Sequence, residues 1–480
     1  MLRHAFSRIL LAVSALVCAA AELPAADRPN IIWIMADDLG YGDLGCFGQK
    51  VIQTPNLDRM AMEGMKFSHF YAGATVCAPS RSVLMTGLHH GHTRVRGNAG
   101  KTNPAAQALK EGDVTVAKVL KDAGYKTALI GKWGLGDVGE AETGLPRKQG
   151  FDYFYGYLNQ THAHNHFPDY LWRNETKEPL SNIVSPLGEN GGGYATDPVH
   201  FSDDLFADEA LKFVEENKAS PFFIYWSLVV PHANNERTRE LKDGAEVPDY
   251  GPYADKDWPN PDKGQAAMIT RLDSYVGRML KLLKAQGLAE KTLVIFTSDN
   301  GPHNESNHDL TRFAPSGPYT GIKRSLTDGG IRVPLIAWWP GKIKAGLETR
   351  HVASFADWMA TAAELADAKV PEKTDSISFV PTLMSNGAKQ EQHEFLYWEF
   401  HEGGFKQAAL YQGRWKGIRA EGSDALVALY DQQNDVEEKT NVAAENPDIA
   451  AKIGEYLKTA RTDSADWEPR WKAEGKKKKK

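Results

Sequence analysis

Two short polar pairs in this chain have the residue types to hold a hard cation. Asp37-Asp38 follows one apolar run directly, and Asp299-Asn300 follows another. Adjacent carboxylates repel, so one such pair alone reads equally as a solvated turn or a helix cap. Together the two pairs offer carboxylate and carboxamide oxygens, the ligands that Ca²⁺ or Mg²⁺ prefers. No cluster of His and Cys at zinc spacing competes with them. A third apolar run also ends in polar punctuation, at Ile130-Gly131-Lys132-Trp133.

The elements that must position these residues follow from periodicity. Short β-rich runs at 31–35, 127–130, 222–226, 293–297 and 335–339 alternate with helical patterns at 114–123, 202–217 and 265–285. That alternation predicts an α/β fold with a large mixed, mainly parallel sheet flanked by helices. In such sheets ligands bind beyond the carboxyl ends of the strands, which is where the polar groups above lie. Residues 159–194 are rich in Gly, Asn, His and Pro and read as a long excursion beside the site. After 385 the texture changes: closely spaced strands at 395–400, 405–412, 415–419 and 426–430 and a helix at 447–459 predict a small C-terminal α+β subdomain with an antiparallel sheet. The run Tyr397-Trp398-Glu399-Phe400-His401 within it is compatible with a partly aromatic sugar pocket or with core.

The termini and composition bound the setting. Arg3, His4 and Arg8 precede an apolar run at 9–21 and small residues at Ala19-Ala20-Ala21 and Ala25-Ala26. This reads as a signal peptide over 1–26 and an exported product, periplasmic or secreted. The run falls short of the roughly 20 apolar residues needed to span a bilayer, and no other segment suggests a membrane span. Domains are expected at 27–384 (catalytic) and 385–475 (C-terminal), followed by a solvated lysine tail at 476–480. Net charge is −6, and that tail supplies +5, so the rest stands at −11 and nucleic acid is not an expected partner. Once Cys18 leaves with the signal, only Cys46 and Cys77 remain. A chain this long buries a core without disulfides, so Cys77 is free for chemistry and Cys46 is expected as a small buried residue.

Motifs in order along the chain carry a resemblance to a known family. They are Pro29-Asn30-Ile31-Ile32-Trp33-Ile34-Met35-Ala36-Asp37-Asp38-Leu39-Gly40, Thr54-Pro55-Asn56-Leu57-Asp58, Cys77-Ala78-Pro79-Ser80-Arg81 and Thr86-Gly87. Gly131-Lys132-Trp133, Pro231-His232, Ser298-Asp299-Asn300-Gly301, Gly321-x-Lys323 and Gly329-Gly330-Ile331-Arg332-Val333-Pro334 complete the set. Residues 30–340 resemble the formylglycine-dependent (type I) sulfatases of the alkaline phosphatase-like superfamily, among them bacterial secreted arylsulfatases. The resemblance implies hydrolysis of sulfate monoesters, of a saccharide or a small molecule. It implies that a maturation enzyme oxidises Cys77 to formylglycine (3-oxoalanine), the nucleophile of a covalent mechanism. It places one divalent metal, Ca²⁺ by preference, on Asp37, Asp38, Asp299, Asn300 and the modified Cys77. Arg81 would orient the nucleophile, Lys132 and Lys323 would bind sulfate and ester oxygens, and His232 would assist the leaving alcohol.

One position departs from the pattern. The family shows Gly-Lys-Trp-His-Leu-Gly, whereas this chain has Gly131-Lys132-Trp133-Gly134-Leu135-Gly136. The missing histidine would help release sulfate, and His162, His164, His166, His303 and His308 are all candidates to replace it. Two other functions share the motifs: a phosphodiester or phosphonate monoester hydrolase of the same superfamily, and a non-catalytic binder of sulfated glycans.

Overall fold

The computed structural model describes residues 28–98, 103–188, 190–385, 389–420, 422 and 425–469. The signal peptide expected at 1–26 and the tail expected at 476–480 lie outside the described residues. A ten-stranded mixed sheet runs through the main body. Its strand order is Leu347–Thr349, Met65–Phe67, Leu335–Trp338, Thr292–Ser298, Asn30–Ala36, Phe222–Ser227, Lys126–Lys132, Tyr153–Tyr157, Tyr170–Arg173 and Thr176–Pro179. The five strands from Thr292–Ser298 through Tyr153–Tyr157 are mutually parallel.

Asn30–Ala36 lies mid-sheet with every residue buried, and it is apolar after Asn30 because helices cover both its faces. The faces separate by alternation. Ile32, Ile34 and Ala36 join a core with residues of helices Ser202–Asn217 and Asn260–Ala285. Ile31, Trp33 and Met35 join a second core with residues of Cys77–Thr86, Val116–Asp122 and Trp358–Leu365.

Most predicted elements shift by a residue or two, and two differ for a local reason. The helix expected at 114–123 is Val116–Asp122, because the Thr115 hydroxyl caps it by accepting from Lys118 N at 3.2 Å. The helix expected from 265 begins at Asn260, with Pro261 in its first turn. The excursion at 159–194 is more ordered than its composition suggests. Tyr170–Arg173 and Thr176–Pro179 extend the main sheet, and Ile183–Pro186 pairs with Gly193–Asp197. These strands are four or five residues long, too short to show a period, and apart from Leu171, Trp172 and Gly193 their residues are half-buried or exposed.

The C-terminal sheet orders Phe395–Phe400, Lys406–Tyr411, Trp415–Arg419 and Val427–Asp431 as an antiparallel meander. Helix Pro447–Thr459 covers one face through Ile453 and Leu457. On the other face Leu396, Trp398, Phe400, Ala408 and Leu410 pack on Tyr71, Val76, Leu326 and Ile331. The aromatic run at 397–401 is therefore core, not a sugar pocket: Trp398 Nε1 donates to Ala72 O at 2.9 Å, and Tyr397 and Phe400 are buried. Cys46 and Cys77 are both free thiols, and Cys46 is half-buried rather than fully buried.

Candidate active site

Strand ends deliver the polar residues to one edge of the sheet. Ala36 is in register with Ser298, so Asp37-Asp38 and Asp299-Asn300 leave neighbouring strands side by side. Asp38 N donates to Asp299 Oδ1 at 3.1 Å, and Leu39 N to Ser298 Oγ at 2.8 Å. Asp38 holds φ at +91°, a backbone conformation that persists only where its surroundings enforce it.

Cys77 opens the buried helix Cys77–Thr86, and its Sγ lies 3.4 Å from Asp37 Oδ1. Arg81 falls one helical turn on. Its Nη2 donates to Asp37 Oδ2 (3.2 Å) and Asp299 Oδ2 (2.9 Å), and its Nη1 to Lys132 O (2.9 Å) and Ser227 Oγ (2.5 Å). Lys132 Nζ bonds Asp37 Oδ2 at 2.5 Å. Lys323 Nζ enters from a separate loop and reaches Asp38 Oδ2 (2.7 Å), Glu305 Oε2 (3.1 Å) and His232 Nε2 (3.2 Å). His232 Nδ1 donates to Ala233 O at 2.7 Å, the tautomer that leaves Nε2 as acceptor for the Lys323 ammonium. All nine residues singled out from the sequence thus lie in one buried cluster. Glu305, two residues beyond His303 in a loop, was not singled out, nor was Ser227 beneath Arg81.

The charges set one another. Burial pushes the Asp37 carboxyl up, but Lys132, His232 and Arg81 pull it well below the usual carboxylate range. Burial and the neighbouring Asp37 charge raise Asp299 to about 7. Burial and Asp37 push the Cys77 thiol up, and burial and Lys323 push His232 down. Against its own burial, Lys323 is held well above the ordinary lysine value by Asp38.

The cluster fits a hard divalent cation. Asp37, Asp38, Cys77 and His232 each offer an atom within 4.8 Å of the others. Asn300 Nδ2 donates to Asp38 Oδ1 (2.6 Å) and Gly301 O (2.9 Å), which leaves its buried Oδ1 without a donor. A buried carboxamide oxygen with no partner beside three carboxylates is what an oxygen-seeking ion would complete. A half-exposed group, His89, His92 and Asp375, also brings possible ligand atoms together, a cluster that sequence spacing did not reveal because Asp375 is remote in the chain.

A mainly parallel sheet thus carries a charged, cation-ready cluster at its strand ends, the place where such sheets bind their ligands. The Sulfatase family model matches residues 29–368, and the model for the N-sulphoglucosamine sulphohydrolase C-terminal region matches 321–463. N-acetylgalactosamine-6-sulfatase of Mus musculus is 32% identical over 82% of this chain and 73% of its own. Arylsulfatase A of Homo sapiens is 35% identical over 80% of this chain and 73% of its own. The structure of Ps i-CgsB in complex with k-i-k-neocarrahexaose superposes with a TM-score of 0.72 at 27% identity, covering 91% of this chain and 94% of that one. The chain belongs to the sulfatase family and is a sulfuric ester hydrolase.

Proposed function

We propose that the enzyme removes sulfate from a sulfated saccharide, with Cys77 converted to formylglycine by a maturation enzyme and one Ca²⁺ held by Asp37, Asp38, Asp299 and Asn300. The observation that carries this reading is the position of Cys77. It opens a helix with its Sγ 3.4 Å from Asp37 and with Arg81 one turn behind it. The modified side chain would supply the nucleophilic oxygen, and the cation would lower the energy of its ionised form. The chain's own residues then have distinct tasks. Lys132, at the end of strand Lys126–Lys132, and Lys323, from a loop, flank the cluster and can grip sulfate oxygens as charge builds on them. Arg81, fully buried and doubly bound to carboxylates, keeps Asp37 and Asp299 in place. His232 Nε2, 3.2 Å from Lys323 Nζ, steadies that ammonium near the ester oxygen.

The saccharide part rests on relatives named for N-acetylgalactosamine 6-sulfate and on one solved with a neocarrahexaose. The leader at 1–26 supports export to the periplasm or beyond. Among the described residues no helix is long and apolar enough to cross a membrane.

The test has two parts. Protein made in a host with the maturation enzyme is digested, and the Cys77 peptide is weighed for the aldehyde; Cys77→Ala should abolish turnover. The wild type is then given aryl sulfates, defined sulfated saccharides and aryl phosphodiesters. Faster turnover of the diester, or an unmodified and inactive Cys77, would overturn the proposal.

A further inference from the structure

Where the family pattern has a histidine, Gly134 leaves bare backbone, and that backbone lines an open groove beside the charged cluster. Strands Lys126–Lys132 and Tyr153–Tyr157 run parallel with Lys132 opposite Tyr157, so the loops after them rise from the same sheet edge as Asp37 and Asp299. Gly134 N donates to Leu158 O at 3.0 Å and ties the two loops together. The second loop then turns through Thr161 to His164, whose ring stacks on His232 of the cluster with centroids 5.0 Å apart. The groove thus starts two residues beyond Lys132 on one wall, at Gly134, and three residues before His164 on the other, at Thr161.

The groove has two lobes, of about 270 and 450 Å³, that share Asp137 and Asn159. The shared pair is held firmly. Asn159 Nδ2 donates to Asp137 Oδ2 at 2.9 Å, Val138 N to Asp137 Oδ1 at 2.8 Å, and His162 N to Asn159 Oδ1 at 2.8 Å. Asp137 is only half-buried and each of its oxygens keeps a lone pair to spare, so it can accept from further donors. In the inner lobe Gln160 Nε2 is a buried donor with no hydrogen-bond partner among the described residues. A fixed carboxylate beside carboxamides suits groups that both donate and accept, as sugar hydroxyls do. The outer lobe adds a cation. Lys177 Nζ lies 4.0 Å from the centroid of the Tyr170 ring and 5.4 Å from that of Trp172, and no carboxylate among the described residues pairs with it. Asp137 and Asp169 also line this lobe, so an anion there has to meet the ammonium itself rather than a broad positive field. No charged group of the catalytic cluster lines either lobe.

We propose that this groove holds the sugars next to the sulfated one, so that the enzyme takes an oligo- or polysaccharide chain. Hydroxyls of the neighbouring sugar bind at Asp137, and an anionic substituent further along, a sulfate or a carboxylate, pairs with Lys177. This inference rests on the sulfated-saccharide reading above. The sulfate ester of a single sugar would reach the cluster and leave both lobes to water. A longer chain fills them without adding a contact at the reacting sulfur. Its gain therefore appears in binding, as a lower KM rather than a higher kcat. Asp137 and Lys177 touch no reacting atom and set which substrate is preferred.

The experiment titrates Cys77→Ala protein, which leaves its ligands uncleaved, with two sets of probes by calorimetry in the presence of Ca²⁺. One set is N-acetylgalactosamine 6-sulfate alone and within chondroitin 6-sulfate di- and tetrasaccharides, whose neighbouring sugar carries a carboxylate. The other is galactose 4-sulfate alone and within carrageenan tetra- and hexasaccharides, whose further anions are sulfates. In at least one set affinity should rise about tenfold or more from the single sugar to the longest chain, and the set that shows the rise identifies the anion. Relative to the single sugar, Lys177→Met should cut the longest chain's affinity about fivefold and Asp137→Ala about tenfold, while Lys177→Arg should keep most of it. Lys177 is exposed, so its variants test the groove without disturbing the core. Chains that bind no more tightly than single sugars in both sets would overturn the proposal. So would a gain that survives both Lys177→Met and Asp137→Ala, or a failure of every probe to bind. Initial rates of the wild type on the same probes judge the hydrolase reading separately: chain-dependent binding without turnover would sink that reading and leave the groove's role standing.

Discussion

A side chain at residue 134 would meet Gln160 before it met any substrate. Gly134 has φ of +80°, a region that L side chains rarely adopt, and its missing Cβ points at Gln160 Nε2. Gly134→His, the substitution that would restore the family pattern, should therefore cost about 1–3 kcal/mol of stability and lower the melting temperature without raising turnover. Gly134→His with Gln160→Ala should recover part of that stability, because the steric conflict goes while the backbone strain stays. Full stability in the single variant would show that the carboxamide moves aside freely. At this scale the metal-type ligands were legible from residue type and strand ends, and the remaining site residues from motif order. Glu305 and Ser227 were not. Each acts through a partner distant in sequence, such as Ser227, 146 residues from Arg81. No local spacing encodes such a contact.

At the scale of elements, a buried ion network ties the C-terminal sheet to the loop that carries Lys323. Lys416, in strand Trp415–Arg419, is fully buried, with Nζ 2.8 Å from Asp328 Oδ1 and 3.5 Å from Glu438 Oε1. Asp328 opens the short helix Asp328–Ile331, and its other oxygen bonds Arg332 Nη1 and Tyr71 OH, each at 3.1 Å. Removing one member of a buried pair strands the other charge, which typically costs about 3–5 kcal/mol, whereas an exposed pair is worth at most about 1. Lys416→Met should thus destabilise by about 3–5 kcal/mol in denaturant titration. Lys416→Met with Glu438→Gln should be milder, since one stranded carboxylate goes while Asp328 keeps its pair with Arg332. A loss under about 1 kcal/mol for Lys416→Met would mean that water reaches the pair. Sequence could not show this network, because a lysine in a strand of alternating pattern reads as a solvated face. The strands themselves were readable because their long apolar runs are covered on both faces. The strands at 170–197 were missed because they are short and have too few buried residues to make an apolar run.

For the whole molecule, the cation-ready cluster lies where distant parts of the chain meet. Its residues come from 37–38, 77 and 299–300, so a bound ion joins the first strand, the Cys77 helix and a strand more than two hundred residues later. Without a cation, burial and the Asp37 charge push Asp299 up to about 7, which shows how unfavourable its ionised form is there. The sign of the pH effect follows. A carboxyl whose folded value is raised favours the fold while it is protonated, and that contribution fades as pH climbs from about 4 through 7. The metal-free protein should lose this part of its stability over that window, while Ca²⁺, which needs the ionised oxygens, binds more tightly as pH rises. Ligand binding to the folded state alone adds about 2.7 kcal/mol at a hundredfold excess over Kd. Melting curves with chelator and with excess Ca²⁺ should therefore separate, more at pH 8 than at pH 5. Asp38→Asn should shrink the separation, because it removes a ligand charge while keeping the side-chain volume. Curves that coincide at pH 8 in wild type would refute a cation at these strand ends. A separation that persisted unchanged in Asp38→Asn would place the ion elsewhere, with His89, His92 and Asp375 the next group to mutate.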